Sequence, residues 1–372
     1  MAGPQPRAGV LRITPYSGSA HYGAETDLIN VSSNESAFGA SARALEAAVA
    51  AAKSLRRYPE IDNRSLRDAV GARFGLDPAR IICGNGSDEI IKMLCTAYAG
   101  PGDEIVYSAH GFQMYPIAAH AVGATPVAVP ERNLTFDVDA VLGAVNERTR
   151  LVFLANPNNP TGSYLNRSEV ARLHAGLPDD VILVIDAAYA EYVTRADYDA
   201  GADLVSAHDN VVMTRTFSKI FALAALRVGW SYCPAPMMDI LERVRSPFNV
   251  NAMAIAAGVA ALADTAHTER AIAHNAEILP WFTAEVERMG RTVAPSVANF
   301  AIVHFDPASD KNATAAYNWL YEHGIVTRRV AGYGLPDWVR LSMGTRPEME
   351  RIVNVLGDFL TRNSPADGSP GR

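Results

Sequence analysis

A lysine set among aromatic and aliphatic residues is the first feature of the chain that could do chemistry. Lys219 stands in Thr216-Phe217-Ser218-Lys219-Ile220-Phe221, between an apolar strand Val211 to Thr214 and a second apolar strand beginning near Arg227. The chain has only four lysines, and Lys53, Lys92 and Lys311 fall in segments that read as helix surface. An amine embedded among Phe217, Ile220 and Phe221 is partly desolvated, which lowers its pKa and exposes the neutral nucleophile. That is the state in which a lysine captures an aldehyde as a Schiff base. Ser218 beside it and Arg227 eight residues on add a hydroxyl and a guanidinium, groups that hold a phosphate by charge-assisted hydrogen bonds. Together they point to an aldehyde cofactor carrying a phosphate. An isolated Ser-Lys pair is a common surface turn, so other positions have to carry the same chemistry.

Three stretches do so. Gly84-Asn85-Gly86-Ser87-Asp88-Glu89 follows an apolar strand and opens a helix, whose first backbone N–H groups suit a phosphate; a capped helix with acids favouring its dipole is the plainer alternative. Asn156-Pro157-Asn158-Asn159-Pro160-Thr161-Gly162 directly follows another strand, and its prolines make a stiff loop able to fix a side-chain amide. Asp186 ends the strand Val181 to Ile185, where a carboxylate is costly unless paired with a cation; as an alternative it caps the next helix.

Ser218-Lys219 with Arg227-Val228-Gly229-Trp230, and the Asn-Pro-x-Asn-Pro-Thr-Gly string, resemble the signatures of the fold-type I pyridoxal-phosphate aminotransferases, with Thr216 to Arg227 closest to their histidinol-phosphate aminotransferase branch. The resemblance runs from Pro15 to about Leu360. It implies pyridoxal 5'-phosphate as cofactor, Lys219 as its covalent anchor and later proton carrier, and Asp186 as partner of the pyridine nitrogen. It places Gly86, Ser87, Thr216, Ser218 and Arg227 at the cofactor, Phe112 against the ring, and Asn159 with Tyr189 at the phenolic oxygen. Arg340 matches the arginine that grips the substrate's anionic group and Arg328 a second anion contact; a guanidinium serves carboxylate and phosphate alike. Tyr58 corresponds to a tyrosine reaching the cofactor phosphate of a partner subunit, Tyr16 to a substrate-phosphate contact, and Asn34 opens a loop over the substrate. That loop, Asn34-Glu35-Ser36-Ala37-Phe38-Gly39, lacks the second asparagine and the proline of the family pattern.

The elements that must position these residues read as α/β. Strand-like runs Ile81–Cys83, Ile105–Tyr107, Pro126–Val129, Leu151–Leu154 and Val181–Ile185 alternate with helical segments. Nearly continuous apolar strands between helices make a mostly parallel sheet covered on both faces, with ligands at the strands' carboxyl ends. Helices Asn251–Ala263 and Thr265–Met289, the latter bent or divided at Pro280, precede a strand Phe300–Phe305, a helix Ala313–Glu322 and a strand Trp338–Met343. The expected organisation is an N-terminal arm 1–33 joined to a small α/β domain, a large cofactor domain 34–247, the small domain 248–362 and a disordered tail 363–372.

Length and composition agree with a globular enzyme: 372 residues, 49% hydrophobic, 20% charged, net charge −7. No basic run marks a nucleic-acid surface, and no apolar run reaches the length of a bilayer span. Cys83, Cys95 and Cys233 are odd in number and set among apolar residues, which fits buried thiols in the cytoplasm rather than disulfides or a metal site. The activity expected from the resemblance is transamination of histidinol phosphate with 2-oxoglutarate to give imidazole acetol phosphate and glutamate, by a homodimer with shared active sites. An aromatic amino-acid aminotransferase and a phosphoamino-acid decarboxylase of the same fold remain open on these motifs.

Overall fold

The computed structural model describes residues 3–15 and 28–362. Its strands are β1 (Ile29–Asn30), β2 (Ile81–Gly84), β3 (Glu104–Ser108), β4 (Thr125–Val129), β5 (Thr149–Ala155), β6 (Ile182–Asp186), β7 (Val211–Thr216), β8 (Gly229–Tyr232), β9 (Phe300–His304), β10 (Ile325–Val326), β11 (Arg328–Arg329) and β12 (Trp338–Ser342). Its helices are α1 (Ala42–Ala52), α2 (Arg64–Phe74), α3 (Ser87–Tyr98), α4 (Met114–Val122), α5 (Val138–Ala144), α6 (Arg167–Ala175), α7 (Ala202–Ala207), α8 (Ala235–Val244), α9 (Ala252–Ala263), α10 (Thr265–Arg288), α11 (Ala313–Glu322) and α12 (Arg346–Thr361).

The apolar runs form one seven-stranded sheet in the order β2-β8-β7-β6-β5-β3-β4. Strands β7, β6, β5, β3 and β4 are mutually parallel, whereas β8 runs antiparallel to both β7 and β2. Reversal of β8 alone leaves the carboxyl ends of β2, β3, β5, β6 and β7 on one edge, and the chain enters β8 from that same edge. Every residue of β6 and β7 is buried, as expected for strands covered on both faces.

Helix α9 packs against α1 and α2, and its small residues permit close approach: a Cβ on Gly258 would meet Leu66 Cδ1 at 2.9 Å. Ala254, Ala257 and Ala271 accordingly join the core of the large sheet, whereas Ile278, Leu279 and Phe282 join a second core. By packing, the change of core falls inside α10. Helix α10 is also undivided: Pro280 lies within it. Proline removes one backbone donor, and burial of Ile278, Leu279, Phe282 and Val286 on either side holds both halves in one helix.

The second core lies on the antiparallel sheet β11-β12-β9 and the parallel pair β1-β10. Pairing of Ile29 with Ile325 ties residues 29–31 of the arm to this unit. The earlier arm residues take a different course, because Arg12 and Arg7 lie beside α4, where Arg7 is bonded to the Ala121 carbonyl. Tyr16 and the tail 363–372 lie outside the described residues.

Candidate active site

The carboxyl-edge loops of the large sheet and residues of β11, β12 and the arm enclose a cavity of about 290 Å³. Strand β7 ends at Thr216, whose Oγ1 accepts the Ser218 N–H at 3.1 Å and turns the chain so that Lys219 faces the cavity. Phe217 and Ile220 on either side are fully buried. The Lys219 ammonium donates to the Ser33 carbonyl at 2.9 Å and lies 5.7 Å from the Tyr189 ring centroid. Burial first, and the Arg340 guanidinium second, pull the amine from its usual 10.5 down to about 8. This is the depressed lysine expected from its aromatic setting.

Strand β6 ends at Asp186, buried at 5% exposure. Its Oδ2 accepts from the Tyr115 hydroxyl at 2.8 Å and its Oδ1 from Thr214 Oγ1 at 3.3 Å. Among the described residues it makes no ion pair, and burial raises its pKa from 3.8 to about 6 despite those donors. Tyr189 lines the cavity, with its hydroxyl accepting from Asn34 Nδ2 at 2.8 Å and its ring edge-on to Phe300 at 5.1 Å.

The loop after β5 holds its shape through its own amides. Asn156 both donates to the Leu165 carbonyl at 3.1 Å and accepts the Leu165 N–H at 2.9 Å, and Asn158 donates to Thr161 Oγ1 at 3.0 Å. Gly162 has φ +79°, and a Cβ there would overlap Ser296 Oγ, 2.1 Å away. Asn159 is thereby left facing the cavity, where its Oδ1 accepts from Arg340 Nη1. Because arginine only donates, this contact fixes the amide orientation and leaves the Asn159 amide nitrogen as a donor. Arg340 also donates to the Ser32 carbonyl at 2.7 Å. It pairs in register with Arg328 across β12 and β11, so two guanidiniums line the same cavity.

At the N-terminus of α3, Gly86 has φ +80° and no side chain caps the helix. A Cβ on Gly86 would meet Arg227 Nη2 at 2.7 Å, and one on Gly229 would meet the Ser87 nitrogen at 2.5 Å. Ser87, Ser218 and Arg227 line the cavity beside this cradle. Arg227 Nη2 is ion-paired with Asp88 at 3.1 Å, a contact the sequence reading did not contain.

The structure thus brings Lys219, Asp186, Tyr189, Asn159, Phe112 and Asn34 to one cavity, together with Thr216, Ser87, Ser218, Arg227, Arg328 and Arg340. Gly86 backs it through Arg227. Tyr58 is not part of it: the ring is 82% exposed and stacked on Phe248 at 4.5 Å. Reading by sequence missed Tyr115 and Thr214 behind Asp186 and the cavity-lining Ser32, Ser33 and Glu35. Glu35 stood inside the quoted Asn34–Gly39 loop, but nothing in its spacing showed which way it faces.

These donors fit pyridoxal 5'-phosphate. An uncapped helix N-terminus with Ser87, Ser218 and Arg227 suits a dianionic phosphate. A buried carboxylate without a cation suits a protonated ring nitrogen. The Asn159 amide and the Tyr189 hydroxyl suit a phenolic oxygen, and Lys219 an aldehyde.

A parallel-rich sheet with a depressed lysine and a buried carboxylate at its carboxyl edge fits an aminotransferase of the α/β type, and the family model for aminotransferase class I and II matches residues 26–356. The chain is 55% identical to the histidinol-phosphate aminotransferase of Rhodospirillum centenum, over 97% of this chain and 99% of that protein. It is 54% identical to that of Rhodospirillum rubrum, over 96% of this chain and 97% of that one. The protein belongs to the histidinol-phosphate aminotransferase family within class I and II. Among solved structures it is similar to the histidinol-phosphate aminotransferase of Sinorhizobium meliloti in complex with pyridoxal 5'-phosphate, with TM-score 0.86 and 26% identity over 96% of this chain and 98% of that chain.

Proposed function

We propose that the protein transfers the amino group of L-histidinol phosphate to 2-oxoglutarate with pyridoxal 5'-phosphate, giving imidazole acetol phosphate and L-glutamate in histidine biosynthesis. The observation that carries this reading is a lysine amine held near neutrality in one cavity with paired arginines and a buried carboxylate. Identity above one half to histidinol-phosphate aminotransferases over nearly the whole chain supports the substrate.

When bound, the cofactor supplies an electron sink for the pair released at the substrate's α-carbon. Lys219 Nζ would hold the cofactor's aldehyde and, once free, would be the base placed to take the donor's α-proton and return it on the cofactor side. Ser33 O gives the released amine a hydrogen-bond acceptor. Asp186 would hold the protonated ring nitrogen, with Tyr115 and Thr214 orienting its two oxygens. Arg340 and Arg328 grip the donor's phosphate and, in the second half-reaction, a carboxylate of the oxo acid. Arg340 also orients the Asn159 amide, so one residue couples substrate binding to cofactor alignment.

The same reading includes a homodimer. Leu45, Val49, Leu55, Tyr58 and Ile61 are all exposed on α1 and the segment after it, a patch that suits burial against a second copy and lets Tyr58 reach the partner's cofactor phosphate. Three buried free cysteines support a cytoplasmic enzyme, and no described helix is long and apolar enough to cross a membrane.

The test is a steady-state assay of the purified, cofactor-loaded protein with histidinol phosphate and 2-oxoglutarate. Glutamate formation dependent on both substrates is expected. Release of carbon dioxide without need for an oxo acid would overturn the assignment in favour of a decarboxylase.

A further inference from the structure

The cavity is lined by Asp88, Asp186 and Glu35 as its acids, and two of these are engaged. Asp88 is paired with Arg227, and Asp186 accepts from Tyr115 and Thr214. The Glu35 carboxylate makes no hydrogen bond or ion pair with any described residue, although Arg328 and Arg340 line the same cavity.

The segment that carries it, in contrast, is held by many bonds. Ser32 O accepts from Arg340 at 2.7 Å, Ser33 O from Lys219 at 2.9 Å, and Asn34 Nδ2 donates to Tyr189 at 2.8 Å. The Asn34 N–H donates to Ser342 Oγ at 2.8 Å, and Asn299 Nδ2 bridges the Asn34 and Glu35 carbonyls at 3.2 and 3.1 Å. Asn34 has φ +56°, a left-handed conformation asparagine tolerates, and this turn brings Glu35 to the cavity wall close enough to Lys219 to act on its charge. A rigid backbone carrying an uncommitted carboxylate is a preorganised acceptor.

We propose that Glu35 is a specificity-determining residue that accepts the ring N–H of the amino donor's imidazole. The inference rests on histidinol phosphate being the donor. That molecule offers a phosphate, which matches the guanidiniums, an amine, which displaces Lys219, and an azole N–H, for which Glu35 is the remaining acceptor of matching charge. A carboxylate is the stronger acceptor for such a donor, most of all for the protonated ring. It also disfavours an anionic side chain at the same place, so it sorts donors by the chemistry of the ring and not by the phosphate.

The experiment compares wild type, Glu35→Ala and Glu35→Gln as cofactor-loaded enzymes with two donors, histidinol phosphate and phenylalaninol phosphate, which keeps the phosphate and amine but lacks the ring N–H. Wild type should prefer histidinol phosphate. In Glu35→Ala the ratio of kcat/KM values for the two donors should fall about ten- to thirtyfold, mostly through KM, and Glu35→Gln should lie between. Because the backbone bonds of Glu35 use only its carbonyl, both variants are expected to fold. A ratio unchanged in both variants, or an equal loss with both donors, overturns the assignment. Failure of wild type to turn over histidinol phosphate at all overturns the parent reading, and is seen before any variant is compared.

Discussion

The Tyr115 hydroxyl donates a 2.8 Å hydrogen bond to Asp186 Oδ2, yet burial still holds that carboxyl at a pKa of about 6. Its folded pKa lies above its ordinary value. The stability it contributes to the cofactor-free protein is therefore fully present below about pH 4 and lost as pH rises through about 6. A shift of about two units corresponds to about 3 kcal/mol. Cofactor-free Asp186→Asn should gain about that much on wild type between about pH 4 and 7 in denaturant titrations, because the amide has no charge to bury. Parallel curves would remove burial as the controlling influence. Tyr115→Phe, which deletes a donor to the ionised form, should push the window higher.

Lys219 titrates at about 8 in the free site, with Arg340 as the second cause after burial. The rate at which the cofactor-free enzyme captures pyridoxal 5'-phosphate should rise about tenfold per pH unit below that value and level off above it, since only the neutral amine attacks. Arg340→Gln should move the midpoint upward. Stopped-flow absorbance reads both, and an unmoved midpoint would contradict the electrostatic link.

The large sheet was legible because its strands are buried on both faces and stand as continuous apolar runs between helices. The strands around Asp186 and Lys219 fall within one or two residues of expectation. The position of Asn159 was legible because two prolines restrict its loop. What escaped reading was tertiary: Tyr115 of α4 reaches Asp186 at the end of β6 with its ring stacked on Phe153 of β5, and Asp88 meets Arg227 only because β2 and β8 pair. The placing of α9 also escaped, because an alanine-rich helix with apolar residues all round has no face that names its partner.

Arg215 and Glu191 form an ion pair at 2.7 Å with both side chains 8% exposed, under the segments that carry Lys219 and Tyr189. Arg215 also packs over Phe74 and Trp230 at 4.9 and 5.6 Å. Removing one partner strands a buried charge, so Glu191→Gln should cost about 3–5 kcal/mol in urea titrations. The double variant Arg215→Met, Glu191→Gln should recover most of that loss. Additive losses would show that the two charges do not compensate each other.

Tyr58 is exposed and outside its own chain's cavity. If it completes the partner's site, Tyr58→Ala should weaken cofactor affinity, and unfolding and refolding it together with Lys219→Ala should produce hybrid dimers with one intact site. About a quarter of all sites in an equal mixture would then be intact. Activity of the mixture no greater than the average of the two parents would contradict shared sites.

The central claim is that histidinol phosphate is the amino donor that displaces Lys219 from the cofactor. Its most direct test is single-turnover spectroscopy of the cofactor-loaded enzyme, following loss of the yellow lysine-linked cofactor on mixing separately with histidinol phosphate, glutamate, phenylalanine and tyrosine. Fast bleaching by histidinol phosphate and by glutamate is predicted, with no yellow form and no turnover in Lys219→Ala. Fast bleaching by phenylalanine and tyrosine with none by histidinol phosphate would contradict the account and make the enzyme an aromatic aminotransferase.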